Sequence, residues 1–115
     1  MELLTQEQRE QMLANGRANV NREETEDFAP VVRLYCPWSE AIWLLTELDP
    51  DDPDLAFGLC DLGMGFPELG RVRLSELAAI EGPQSLRIRR DESFTPSRRL
   101  STYAYFARRR PRAKE

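Results

Sequence analysis

The 115-residue chain contains no histidine. That absence removes Ser–His and Cys–His nucleophile pairs, most zinc sites, and the side chain best suited to moving protons near neutral pH. Cysteine is scarce: Cys36 and Cys60 are the two present, each in apolar, strand-like surroundings, and both read as buried thiols rather than as a disulfide. No apolar run approaches the roughly 18 residues of a membrane span. The N-terminal MELLTQEQRE lacks the basic start and apolar stretch of a secretory signal, so the expected location is the cytoplasm. Gly58, Gly63, Gly65 and Gly70 form no Gly-x-Gly-x-x-Gly or Gly-Lys-Ser/Thr string, which excludes a phosphate cradle and leaves them as turn and bulge residues.

What the chain does have is an ordinary globular composition, 41% apolar and 31% charged, at a length that fits one domain. Its net charge of −4 hides a division. Residues 1–69 carry 15 Asp and Glu against 4 Arg, and residues 70–115 carry 5 against 12 Lys and Arg. Either the molecule has an acidic and a basic face, or the halves interleave and their charges pair. Lys114 is the one lysine among 16 basic residues, and arginine suits bidentate contact with carboxylate or phosphate.

Thr5 and Gln8 form a capping-box pattern that opens a helix, with Asn15-Gly16 as its expected end. Val31–Tyr35 is β-branched and aromatic, and reads as a strand. Ala41–Leu48 alternates Ile42, Leu44, Thr46 and Leu48 with Trp43, Leu45 and Glu47; apolar residues on both sides predict a central strand. Asp49–Asp54, with two prolines and four carboxylates, reads as a solvated loop, and Leu55–Leu62 as the return strand of a hairpin. Gly63–Glu68 is a turn, and Leu69–Leu74 a further strand with Val72 inward and Arg71 and Arg73 outward. Ser75 is the expected cap of a short helix, Ser85–Arg90 a last strand, and Thr95-Pro96 the start of a helix whose stripe is Leu100, Tyr103, Ala104 and Ala107. The prediction is therefore an α+β domain over residues 1–110. It is a mainly antiparallel meander sheet of about five strands, with an N-terminal helix, a short middle helix and a C-terminal helix covering one face. Residues 111–115 form a basic, flexible tail.

One stretch of residues has a family resemblance. Cys36-Pro37-Trp38, Trp43-Leu44-Leu45-Thr46-Glu47-Leu48-Asp49, Phe57-Gly58-Leu59-Cys60-Asp61-Leu62-Gly63, Phe66-Pro67-Glu68-Leu69-Gly70 and Leu74-Ser75-Glu76-Leu77 together resemble an uncharacterised bacterial family, domain of unknown function 2958. The resemblance implies a setting on conjugative plasmids and integrated elements. It implies no activity, cofactor or catalytic residue.

The candidate sites are surfaces rather than catalytic centres. Counted as a calcium loop from Asp49, the acidic segment puts Pro53 at the fifth position, Asp54 at the sixth and Cys60 at the twelfth, which fails the pattern, so no metal and no cofactor are expected. Trp38 and the carboxylates Asp51, Asp52 and Asp54 are the expected contacts with a protein partner or a second copy of the chain. Arg87, Arg89, Arg90, Arg98, Arg99, Arg108, Arg109 and Arg110, with Tyr103, Tyr105 and Phe106 among them, carry the alternative of a nucleic-acid accessory factor. Glu47 and Asp61 carry a third reading, an enzyme built on carboxylates, which requires both in one cleft; Asp61 alone reads as solvent-facing or paired with Arg71 or Arg73. The leading expectation is a small, non-enzymatic interaction protein.

Overall fold

The computed structural model of the chain describes residues 2–20 and 22–109; Arg110 and the tail 111–115 lie outside them. The elements in chain order are α1 (Gln6–Asn19), β1 (Val32–Tyr35), β2 (Ile42–Asp49), β3 (Asp52–Asp61), β4 (Glu68–Arg73), α2 (Leu74–Ala79), β5 (Arg89–Arg90) and α3 (Leu100–Arg109). The sheet order is β4-β3-β2-β1-β5 with every pairing antiparallel. The first four strands are a meander, and β5 returns to the outer edge of β1. This is the expected α+β fold.

The expectation that the helices share one face is corrected. Leu4 and Met12 from the α1 region and Leu74 and Leu77 from α2 pack with Val32, Leu34, Trp43, Leu45 and Leu48 on one face of the sheet. Leu100, Ala104 and Ala107 of α3 pack with Leu44 and Leu59 on the other. The apolar residues on both sides of β2 are thus explained: this strand is covered twice, and only a strand covered on both faces stays apolar throughout.

β2 does not alternate along its whole length. Leu45 pairs with Gly58 and Glu47 with Phe57, so Thr46 is an extra residue, a β-bulge. The bulge moves Leu48 onto the side of Trp43 and Leu45, against the expected alternation, where it is fully buried.

The bulge also explains why α1 continues to Asn19 rather than ending at Asn15-Gly16. Asn15 is buried, and its side-chain amide donates to the Thr46 carbonyl at 2.8 Å. Gly16 lies so close to β2 that a Cβ there would sit 1.8 Å from the Leu48 carbonyl oxygen. Two residues whose types suit a helix end instead serve close approach and carbonyl capture inside a helix. The N-terminus of α1 is as expected: Thr5 and Gln8 exchange reciprocal capping-box bonds of 2.9 and 3.1 Å.

The other two helices take their caps from distant chain, which moves both expected starts. α2 opens at Leu74, where Ser75 donates its N–H and hydroxyl to Asp54 at 2.9 and 2.6 Å. α3 opens at Leu100, not at Thr95-Pro96; Ser101 donates its N–H (3.1 Å) and its hydroxyl to Asp27, and the Leu100 N–H reaches the Phe28 carbonyl. Each helix begins Leu-Ser and receives a carboxylate that suits the positive end of the helix dipole. Replacing a cap of this kind typically costs about 1 kcal/mol. Asp27→Ala is therefore expected to lower unfolding stability by about 1 kcal/mol and to speed amide exchange in the first turn of α3. Asp27→Asn should retain most of the stability, since asparagine caps comparably.

Two smaller corrections concern loops. The acidic segment is a tight hairpin turned by Pro50-Asp51, with Asp49 and Asp52 paired across it, rather than a six-residue loop. The Ser85–Arg90 strand shortens to Arg89–Arg90; before it lie a 3-10 turn (Pro83–Ser85) and an isolated bridge from Glu81 to Arg87. Gln84 and Ser85 have φ of 57° and 64°, a left-handed step that interrupts extended chain.

Candidate functional site

The face that α3 covers is only partly filled. Arg33 and Tyr35 of β1, Ile42 and Leu44 of β2 and Leu59 of β3 point to this side, because register places Arg33 opposite Leu44, Tyr35 opposite Ile42, and Leu44 opposite Leu59. α3 is ten residues long and lies over Leu44 and Leu59. Between the helix and the β1–β2 side of the sheet runs an open groove of about 700 Å³. Its floor is Ile42, Leu44 and Leu59; its walls include Phe94, Tyr103 and Phe106. A cleft of this size and polarity is the ordinary form of a binding site.

One ion pair lines the groove. Arg33 Nη1 donates to Asp91 Oδ2 at 3.0 Å. Asp91 also accepts from the Ser93 hydroxyl and N–H at 2.8 and 3.0 Å. The Ser93 hydroxyl foremost, with the Arg33 guanidinium, holds the Asp91 carboxyl below the usual carboxylate range. Asp91 is therefore held toward its ionised form and accepts three hydrogen bonds.

The outer side of α3 displays rings. Tyr105 and Phe106 are half exposed and meet edge-to-face with centroids 5.4 Å apart. Arg109 stacks over Tyr105 at 3.6 Å, and Arg98 over Phe106 at 4.9 Å. Residues 93–109 contain four arginines and no carboxylate. The helix stripe of Leu100, Tyr103, Ala104 and Ala107 is turned inward as its period predicts.

The seven described arginines of this set do not gather into one stripe. Arg87 pairs with Glu81 at 3.0 Å and donates to the Ala78 and Ala79 carbonyls at the end of α2. Arg90, opposite Leu34, is on the α1 side, where it donates to the Glu2 carbonyl at 2.7 Å and to Glu92 at 3.3 Å. Arg89 is exposed on the α3 side beside Tyr35. Arg98, Arg99, Arg108 and Arg109 are exposed around α3, and Arg110 lies outside the described residues.

The acidic and basic halves of the chain interleave at the hairpin. Arg73 pairs with Asp52 at 2.9 Å and Asp54 at 3.8 Å, and Arg71 with Asp49 at 3.9 Å. Asp52 and Asp54 thus already hold internal partners, while Asp51 is exposed. The Ser75 hydroxyl, first among several donors, keeps the Asp54 carboxyl below its ordinary range. Trp38 is half-buried against the α1-side core, with Gly82 packed on its indole so closely that a Cβ there would lie 2.4 Å from the ring.

The two carboxylates proposed for catalysis stand apart. Glu47 is opposite Phe57 and Asp61 opposite Ile42, four residues away along β3 or roughly 13 Å. Asp61 is buried, not solvent-facing, and accepts from the Gly63 N–H at 2.9 Å in the turn that follows. Arg71 and Arg73 are engaged with the hairpin carboxylates instead. Glu47 lines a separate cleft and accepts from the Asn19 amide at 2.9 Å. Burial raises its pKa, against the opposing effects of Asn19 and Arg71. A raised folded-state pKa means that ionised Glu47 is penalised in the fold: the penalty is absent below the unfolded value near 4, grows as pH rises past it, and is complete above the folded value. Glu47→Gln is therefore expected to raise the urea midpoint at pH 7, with the gain vanishing at acid pH.

Burial likewise pushes the Cys60 thiol up, which disfavours its thiolate, and both cysteines are free. Among the described residues no group of three or more Cys, Asp and Glu side chains is arranged to hold a metal ion, and no helix is long and apolar enough to cross a membrane.

A family defined as a protein of unknown function, DUF2958, matches residues 3–113, nearly the whole chain. The protein belongs to the DUF2958 family. No curated protein and no solved structure matches it. The site of this DUF2958 member therefore rests on its own geometry. Sequence reasoning singled out the α3 arginines and rings but missed the groove. Phe94 and the Arg33–Asp91 pair come together only through the β1–β5 pairing, a contact across 58 residues of chain that leaves no local signal.

Proposed function

We propose that the protein is a non-enzymatic binding module that engages another protein through the α3 face. The observation that carries this reading is the open groove of about 700 Å³, with an apolar floor of Ile42, Leu44 and Leu59 and the exposed Phe106, edge-on to Tyr105, in its wall. Exposed aromatic and arginine side chains at an apolar cleft are the features of interaction hot spots. The engagement of Asp52 and Asp54 within the fold moves the weight of the contact surface from the hairpin to α3. The setting we propose for it is a bacterial plasmid or integrated mobile element, as the family resemblance implies.

A second reading, a nucleic-acid accessory factor, is favoured by one observation: Arg98 and Arg109 lie against exposed rings, a combination that also serves single strands. Affinity capture from host extract decides between them, using the wild-type protein and Phe106→Ala as baits, with and without nuclease. The expected result is a protein retained by the wild type, lost with Phe106→Ala and indifferent to nuclease. Capture that disappears with nuclease would transfer the function to nucleic acid. Capture equal on both baits would remove α3 from the function.

A further inference from the structure

Resting on the α3 face as the binding surface, the geometry points to the partner's chemistry: an acidic amphipathic peptide segment, one or two large apolar side chains in the groove and carboxylates on either side facing the α3 arginines. The groove and its rim ask for different things. The floor of Ile42, Leu44 and Leu59 offers hydrocarbon and no hydrogen-bonding side chain. The Tyr103 hydroxyl on the wall already serves the Ser97 N–H at 3.0 Å, and Asp91, the one carboxylate among the described lining residues, already serves Arg33 and Ser93. A group set over that floor must therefore be apolar, because a polar atom there would lose water and meet hydrocarbon, while Arg33 and Arg109, also among the lining residues, carry donors suited to a carboxylate.

The rim is cationic. Arg98, Arg99, Arg108 and Arg109 are exposed along residues 93–109, which contain no carboxylate of their own, while Asp27 is bonded to Ser101 at the start of α3. Arg98 and Arg109 lie over rings, and Arg109 also donates to the Tyr105 carbonyl at 3.3 Å, so the remaining donors of each guanidinium can meet an anion. A planar guanidinium fixed in position loses less freedom on meeting a carboxylate than a mobile chain does. Charge complementarity then selects an anionic segment, and the apolar floor selects one with hydrocarbon anchors.

The same two features weigh against a nucleic-acid strand. A base inserted over Leu44 and Leu59 would set part of its polar edge against hydrocarbon. The outward π-faces are partly taken by arginine, and Arg87 and Arg90 are committed to the opposite side of the sheet.

The test is an unbiased selection. A displayed library of random peptides of about a dozen residues is panned on the full-length wild-type protein. The enriched peptides are then titrated by fluorescence anisotropy against wild type, Phe106→Ala and Arg98→Glu/Arg109→Glu. All three substituted side chains are exposed, so these variants keep the fold. The expected outcome is peptides with bulky apolar residues flanked by Asp and Glu, weakened roughly tenfold or more by either variant, and weakened further by added salt. No enrichment, basic or anchor-free winners, or binding indifferent to both variants would overturn the inference. A labelled thymidine oligonucleotide binding more tightly than any selected peptide would also overturn it, in favour of nucleic acid. So would a wild-type dimer that becomes monomeric with Phe106→Ala, in favour of a second copy. If selection fails while host capture still depends on Phe106, the α3 face stands as the binding surface and only the acidic partner falls.

Discussion

Gly16→Ala is expected to destabilise the protein by about 2 kcal/mol or more, despite being a change that usually strengthens a helix. In a helix interior alanine is favoured over glycine by about 1 kcal/mol. Here the added methyl would lie 1.8 Å from the Leu48 carbonyl oxygen and 3.0 Å from its carbon. Both atoms are backbone in a strand covered on both faces, so neither can step aside as a side-chain tip would. Overpacking of this kind typically costs 1–3 kcal/mol, and displacing backbone puts it at about the upper end, enough to reverse the propensity gain. Against a typical margin of about 5–15 kcal/mol, such a loss should be plain in a urea transition. Gly70→Ala is the control: a Cβ there would meet nothing within 4 Å, and the expected change is neutral or slightly stabilising. A Gly16→Ala protein as stable as the wild type would mean that α1 does not rest on the bulge as described.

Asn15→Ala is expected to cost about 2 kcal/mol for a different reason. Asn15 donates to the Thr46 carbonyl at 2.8 Å and accepts from Gln11 at 2.9 Å, and both Asn15 and Thr46 are buried. Thr46 is the residue of β2 without a Cα partner on β3. Removing its donor leaves a carbonyl in a dry interior, a penalty of about 1–3 kcal/mol. Asn15→Asp should do no better at neutral pH, because an ionised carboxylate has no hydrogen to give. Guanidinium titrations of the three proteins check both expectations, and an Asn15→Ala midpoint equal to the wild type's would sink them.

These two neighbours also explain how far the sequence could be read. Composition and alternation identify the meander, because each strand carries its own record of which side is apolar. The capping box of α1 is likewise local, with donor and acceptor three residues apart. Asn15-Gly16 misleads because the same chemistry that ends a helix also lets one lie against a bulge, and the deciding partner, Thr46, is 31 residues away. The starts of α2 and α3 are misread for the same cause: Ser75 and Thr95-Pro96 look like caps, yet the carboxylates that hold the first turns are Asp54 and Asp27. The placement of α3 on the opposite face depends on Asp27 and Phe28 meeting Leu100 and Ser101, and no window of sequence contains both. In the site, the aromatic and arginine content of α3 is readable, whereas a groove is a gap between elements and has no residues of its own to announce it.

The borrowed caps impose an order on folding. Asp54 and Ser75 are 21 residues apart and Asp27 and Ser101 are 74 apart. Closing the longer loop costs about 1 kcal/mol more in chain entropy, so α2 docks on a nascent hairpin well before α3 can. Between those two steps Leu44 and Leu59 are uncovered, and the chain is at its stickiest. The last helix to arrive is then expected to open first when the fold relaxes, exposing the sheet face under Leu44 and Leu59.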